Sequence, residues 1–148
     1  MTMNLNTCSQ VVSLARELEQ QTAGFYKELA RRWPQKEDFF LNLAAENDNY
    51  VTMVERAYYG VISDAYEGCF AFDMDPHEYA IDTELPQKAD LSVALKSALN
   101  MEEKMISFYR EAARQSKSLM ADVPRAMELV ARKRADRIGK LRSLMDEA

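Results

Sequence analysis

The chain has 148 residues, a length that suits one domain with a real core. Its 29% charged and 47% hydrophobic content is that of an ordinary globular protein, and four glycines and four prolines among many Ala, Leu, Glu and Arg favour helix over strand. A net charge of −5 argues against nucleic acid as a partner, and no stretch approaches the ~20 apolar residues of a membrane span.

The first helix is predicted to start near Thr7, where Thr7 and Gln10 make a capping-box pair. Val11, Leu14, Leu18, Phe25 and Leu29 then recur at helical spacing until Trp33-Pro34 ends the run, because a residue before proline avoids the helical region. A second helix is expected from about Glu37 to Tyr59 or beyond, with Phe39, Phe40, Leu43, Tyr50, Val54 and Ala57 as its apolar stripe. The segment from about 61 to 90 is irregular, and its aromatics predict that it lies against the bundle. A third helix is predicted from about Leu91 to Ser116. A fourth begins near Val123-Pro124, where proline is tolerated in a first turn, and runs to the C-terminus. Short links make helices one and two, and three and four, antiparallel hairpins. The ~30-residue middle link is long enough to climb a whole helix, so helices two and three can run parallel.

Within this plan one pattern repeats. Glu19 to Arg31 reads E-Q-Q-T-A-G-F-Y-K-E-L-A-R, and 83 positions later Glu102 to Arg114 reads E-E-K-M-I-S-F-Y-R-E-A-A-R. Each copy sets a carboxylate below a Phe-Tyr pair on a helix. Glu102 lies inside its apolar stripe and Glu19 at the edge of its own. A carboxylate among apolar neighbours is costly unless it meets a cation, a metal or hydrogen-bond donors. The plainer reading is that both reach water at the rim.

These features resemble the rubrerythrin branch of the ferritin-like superfamily, over nearly the whole chain from about Val11 to Met145. The resemblance implies an all-α, ferritin-like four-helix bundle in a single domain, 1–148, with one long crossover. It also implies a di-iron centre whose ligands on the second and fourth helices read Ala-x-x-Glu-x-x-His. Here those frames fall on Ala44, Asn47 and Tyr50, and on Ala131, Arg134 and Arg137. Of the implied ligands only Glu19 and Glu102 remain. A shifted frame would offer Glu46 and Asn49 and still no histidine, and it would move Phe40, Ala44 and Val54 off their apolar positions.

The substitutions make chemical sense together. Without metals, Glu19 and Glu102 would repel each other in a low-dielectric core, and Arg134 supplies a fixed cation with five donors. Arg134 is therefore expected to pair with Glu19, Glu102 or both, and Asn47 and Tyr50 to donate further hydrogen bonds to the same carboxylates. For Arg137 two readings stay open: a member of that network, or a flank residue that snorkels to water. Tyr26 and Tyr109 are expected to pack and hydrogen-bond inside the bundle.

The expected role is non-catalytic, structural or binding, without a cofactor and as a cytoplasmic homodimer. The competing expectation is a di-iron oxidoreductase or peroxidase of rubrerythrin type, using Glu19, Glu102 and unusual ligands such as Glu46. His77, the one histidine, reads as a solvated loop residue. Cys8 and Cys69 form no Cys-x-x-Cys and suit a reducing compartment, and the N-terminal sequence lacks the pattern of a secretory signal.

Overall fold

Thr7 opens the first helix with extended backbone, φ −104° and ψ 155°. Its hydroxyl accepts from the Gln10 N–H at 3.2 Å, and the Gln10 side chain accepts from the Thr7 N–H at 3.1 Å. The helix closes at Trp33, whose φ of −125° and ψ of 78° have left the helical region ahead of Pro34. The computed structural model describes residues 4–62, 72–117 and 122–147, side chains of 60–62 excepted. Over these the helices are α1 (Cys8–Arg32), α2 (Glu37–Ile62), α3 (Leu91–Ser116) and α4 (Val123–Glu147). Single 3-10 turns lie at Pro34–Lys36 and Pro76–Tyr79. No strand occurs among the described residues beyond one antiparallel bridge, Leu5 with Met74. No described helix is long and apolar enough to cross a membrane.

The hydrophobic core falls into two clusters, and their membership gives the direction of each helix. One joins the N-terminal half of α1 (Val11, Ala15, Leu18) to the C-terminal halves of α2 (Val54, Tyr58) and α3 (Met105, Ala112), and to the start of α4 (Met127, Val130). The other joins the C-terminal half of α1 (Phe25, Leu29) to the starts of α2 (Phe40, Leu43) and α3 (Ala94, Leu95), and to the end of α4 (Leu141, Leu144). Helices α1 and α4 therefore run one way and α2 and α3 the other, as the length of the middle link allows. The closest packing is α1 on α2 and α3 on α4.

The crossover returns along the α1–α3 side. Its described part, from residue 72, begins beside the N-terminal segment, where Leu5 and Met74 exchange backbone hydrogen bonds of 2.7 and 3.1 Å. Tyr79 then meets Phe108 edge-on, 5.5 Å between centroids, and Lys104 donates to the Ala80 carbonyl at 3.0 Å. Each end of this described part is clamped from a helix. Gln115 accepts from the Asp73 N–H and donates to the Asp73 carbonyl, at 2.7 and 3.1 Å. Arg32 donates to the carbonyls of Pro86 and Leu85, at 2.7 and 3.1 Å. Arg32 and Gln115 are equivalent positions, 83 apart, so the repeat secures the two ends of the strap from opposite ends of the bundle. Cys69 lies outside the described residues.

Candidate functional site

Between the two apolar clusters sits a layer of charge. Glu19 of α1 is 1% exposed, Glu102 of α3 0%, and Arg134 and Arg137 of α4 are 0% and 1% exposed. Neither glutamate reaches water, so the rim reading does not hold. Two carboxylates meet two guanidiniums, and the layer is balanced in charge.

Arg134 is the centre. Its Nη2 donates to Glu19 Oε1 and its Nη1 to Glu102 Oε1, both at 2.5 Å, and its Nε reaches Glu19 Oε2 at 3.3 Å. One planar fork thus spans carboxylates from two helices, with three of its donors held in a fixed geometry. Arg137 donates to Glu102 Oε2 at 3.3 Å and to the Leu43 carbonyl at 2.6 Å. It does not snorkel: its guanidinium carbon lies 5.0 Å from the Tyr50 ring centroid and 5.6 Å from that of Tyr26. Arg134 stacks on Tyr50 as well, at 5.2 Å. Such faces compensate weakly hydrated guanidiniums for lost water.

The repeat contributes a reciprocal exchange. Tyr26 of α1 donates to Glu102 Oε2 at 2.5 Å, and Tyr109 of α3 donates to Glu19 Oε2 at 2.6 Å. Each phenol serves the carboxylate of the other helix. Phe25 and Phe108 brace them edge-on, at 5.8 and 5.1 Å between centroids. All four carboxylate oxygens are thereby engaged.

Asn47 and Tyr50 depart from expectation. Asn47 donates to the Glu19 backbone carbonyl at 3.0 Å and to Thr22 Oγ1 at 2.5 Å. Tyr50 donates to Glu46 at 3.0 Å. Neither bonds a carboxylate of Glu19 or Glu102, because the tyrosines of α1 and α3 and the fork of Arg134 already fill those oxygens. Thr22 was not foreseen. It is fully buried, accepts from Asn47 and from Arg134 (3.3 Å), and donates to the Glu19 carbonyl at 3.1 Å. Its position one turn past Glu19 on the same face was the available signal. Among the described residues, Asn47 Oδ1 and Arg137 Nε are buried without a partner. Glu46, the ligand of the shifted frame, is half-buried, with its side chain 39% exposed and 3.6 Å from Arg137. Asn49, its companion, is exposed. His77 sits in the 3-10 turn of the crossover, away from this layer.

Electrostatics agree with the geometry. Burial pushes the Glu102 carboxyl up, but Arg134, Arg137 and the Tyr26 hydroxyl outweigh it and hold it below the usual value. Burial works against the charge on Arg134, yet Glu102 and Glu19 prevail and raise it further. Burial, and next the facing carboxylate, push Tyr26 and Tyr109 well above an ordinary phenol. Burial likewise pushes Tyr50 up to about 12, with Arg137 opposing and Glu46 assisting. The Glu102 carboxylate stays ionised, and the phenols of Tyr26 and Tyr109 stay donors.

The residues present do not fit a di-iron centre. A guanidinium contacts both glutamates where two cations would have to sit, and it would repel them. The chain's single histidine is elsewhere. Among the described residues no group of three or more His, Cys, Asp or Glu is arranged to hold a metal ion. Chemically the layer can orient four helices and fix their register, and it offers neither a free base nor an open coordination position. No family model matches this chain, and neither a curated protein nor a solved structure matches it.

Proposed function

We propose that this chain is a rubrerythrin-like member of the ferritin-like superfamily in which an internal guanidinium network stands in the place of the di-iron centre. It serves a non-catalytic structural or binding role, as a cytoplasmic homodimer. The observation that supports this reading is the Arg134 fork, 2.5 Å from Glu19 and 2.5 Å from Glu102. A cation that cannot dissociate takes over the charge balance that metals would supply, and it leaves no exchangeable position for oxygen chemistry. The all-helical chain with α2 parallel to α3, joined by a long crossover, supports the ferritin-like assignment.

The test is elemental analysis of protein purified without added metal. Iron, zinc and manganese are each expected well below one equivalent per chain, with no change in Glu102→Gln. Close to two equivalents of iron, lost in Glu102→Gln, would overturn the reading in favour of a di-iron oxidoreductase.

A further inference from the structure

A cleft of about 940 Å³ opens between the crossover, α3 and α4, within the size range of small-molecule sites. Its α3 wall runs from Glu103 to Gln115, about 18 Å of helix, so the cleft is long. Met74 and Ile106, both buried, and Ile138, half-buried, give it an apolar floor. Around them stand Asp73, Asp75, Glu78, Glu103 and Glu111, against only Arg110 and Arg114. Carboxylates thus exceed guanidiniums by three, and the potential inside favours a cation.

Most of these groups are already engaged. Arg114 is paired with Glu111 at 2.5 and 2.8 Å. Asp73 accepts from Asn4 at 2.7 Å, and Asp75 from the His77 N–H at 2.9 Å. Glu78 and Glu103 are not: their carboxylates make no hydrogen bond or ion pair among the described residues. Tyr79 supplies an independent clue. It is 7% exposed, its ring is fixed edge-on against Phe108, and its hydroxyl has no hydrogen-bond partner among the described residues. Burial, and next the carboxylates of Glu111 and Glu78, raise its pKa, which puts the hydroxyl among the acidic groups of the cleft. A phenol held there without a partner is costly unless something in the cleft bonds to it.

The arrangement selects among cations. A metal ion needs converging oxygens, and no three acidic side chains among the described residues are so arranged. Carboxylates spread along a trough with an apolar floor instead fit positive charges strung on a hydrocarbon chain. We propose that this cleft binds a linear aliphatic polyamine. Its ammonium groups lie at Glu78 and Glu103, its methylenes lie over Met74, Ile106 and Ile138, and one N–H is donated to the Tyr79 hydroxyl. No cleft residue belongs to the charged layer, so amine binding stands or falls apart from the role proposed above: iron content tests the one and amine uptake the other.

Spermidine is the probe, titrated calorimetrically into the full chain at pH 7 and low salt, with melting curves as the folding control. Wild type is expected to take up about one equivalent per chain with a Kd below about 100 μM, and to bind more weakly as salt rises. Glu78→Gln/Glu103→Gln should weaken binding roughly tenfold, and Tyr79→Phe about threefold to tenfold. Glu17→Gln/Asp48→Asn removes the same charge from exposed positions on α1 and α2 that do not line the cleft, and should stay within about twofold of wild type. Arg110→Gln removes a like charge and should tighten binding by about twofold. A wild type that takes up no spermidine at about 1 mM overturns the inference. So does equal weakening in the cleft and control double variants, which would mean attraction by net charge alone. A Tyr79→Phe chain that binds like wild type, or an Arg110→Gln chain that binds more weakly, overturns it as well.

Discussion

Replacing Arg134 by methionine keeps most of the side-chain volume and removes the charge. In wild type the Arg134 fork satisfies Glu19 twice and Glu102 once, at distances of 2.5 to 3.3 Å. Without it, Glu19 keeps only the Tyr109 hydroxyl, and Glu102 keeps Tyr26 and the longer contact to Arg137. Two carboxylates that are 1% and 0% exposed then share one cation. Breaking a buried pair by removing one partner costs about 3–5 kcal/mol. At about 2–4 °C per kcal/mol for a chain of this size, the melting temperature should fall by roughly 6–20 °C. Urea denaturation followed by circular dichroism at pH 7 measures the loss. Lowering the pH should shrink it, because a carboxyl left unpaired in the variant has a raised pKa and its cost vanishes once it is protonated. Glu102→Gln on top of Arg134→Met should destabilise far less than the two single changes summed, since the double change leaves fewer stranded charges. If Arg134→Met lies within about 1 kcal/mol of wild type with an unchanged slope, or if the two changes are additive, the network does not bear on stability.

Other expectations follow from the same layer. Because the Glu102 pKa is lowered from 4.5, its contribution is present above that value and is lost as pH falls through the lower folded value, so the urea midpoint should drop in acid and Glu102→Gln should flatten that drop. Tyr26 and Tyr109 are raised above 10.0, so their contribution is complete below pH 10 and lost above it; their phenolate absorbance should emerge only with alkaline unfolding, and a wholly normal titration of the chain's tyrosines would contradict their burial. Asn47→Glu, Tyr50→His, Arg134→Glu and Arg137→His combined should create a site stabilised by ferrous ion, seen as a metal-dependent rise in melting temperature. A folded quadruple variant whose melting ignores iron would show that the Ala-x-x-Glu-x-x-His frame is misplaced on α2 and α4.

Much of this architecture is legible in the sequence because helix ends are local chemistry. Thr7 with Gln10, Trp33 before Pro34, and Val123 before Pro124 each act within a turn of themselves. The burial of Glu102 is also legible, since it sits in an apolar stripe and its repeat partner marks Glu19. Partner choice is harder to read. Tyr26 lies seven residues from Glu19, about 10 Å along the same helix, and nothing in the spacing says that it serves Glu102 instead. That depends on how α1 and α3 are rotated and shifted against each other. The same holds for Asn47 and Tyr50, where a small turn of α2 decides between a carboxylate and Thr22 or Glu46. Arg137, three positions beyond Arg134, looks like a flank residue by periodicity alone. The Leu43 carbonyl and the rings of Tyr26 and Tyr50, which hold it inside, come from two other helices, α2 and α1.

The origin of the buried charges has a consequence for how the chain folds. The α1–α2 hairpin brings the carboxylate of Glu19 to the layer, and the α3–α4 hairpin brings Glu102 with Arg134 and Arg137. Each hairpin alone would carry one uncompensated charge at the middle of its apolar face, negative on the first and positive on the second. Neither half can dehydrate that face until the other arrives. The two hairpins are therefore expected to be obligate folding partners: a fragment ending after α2 should stay open to hydrogen exchange along Val11 to Val54, and it should become protected only when the second hairpin is supplied.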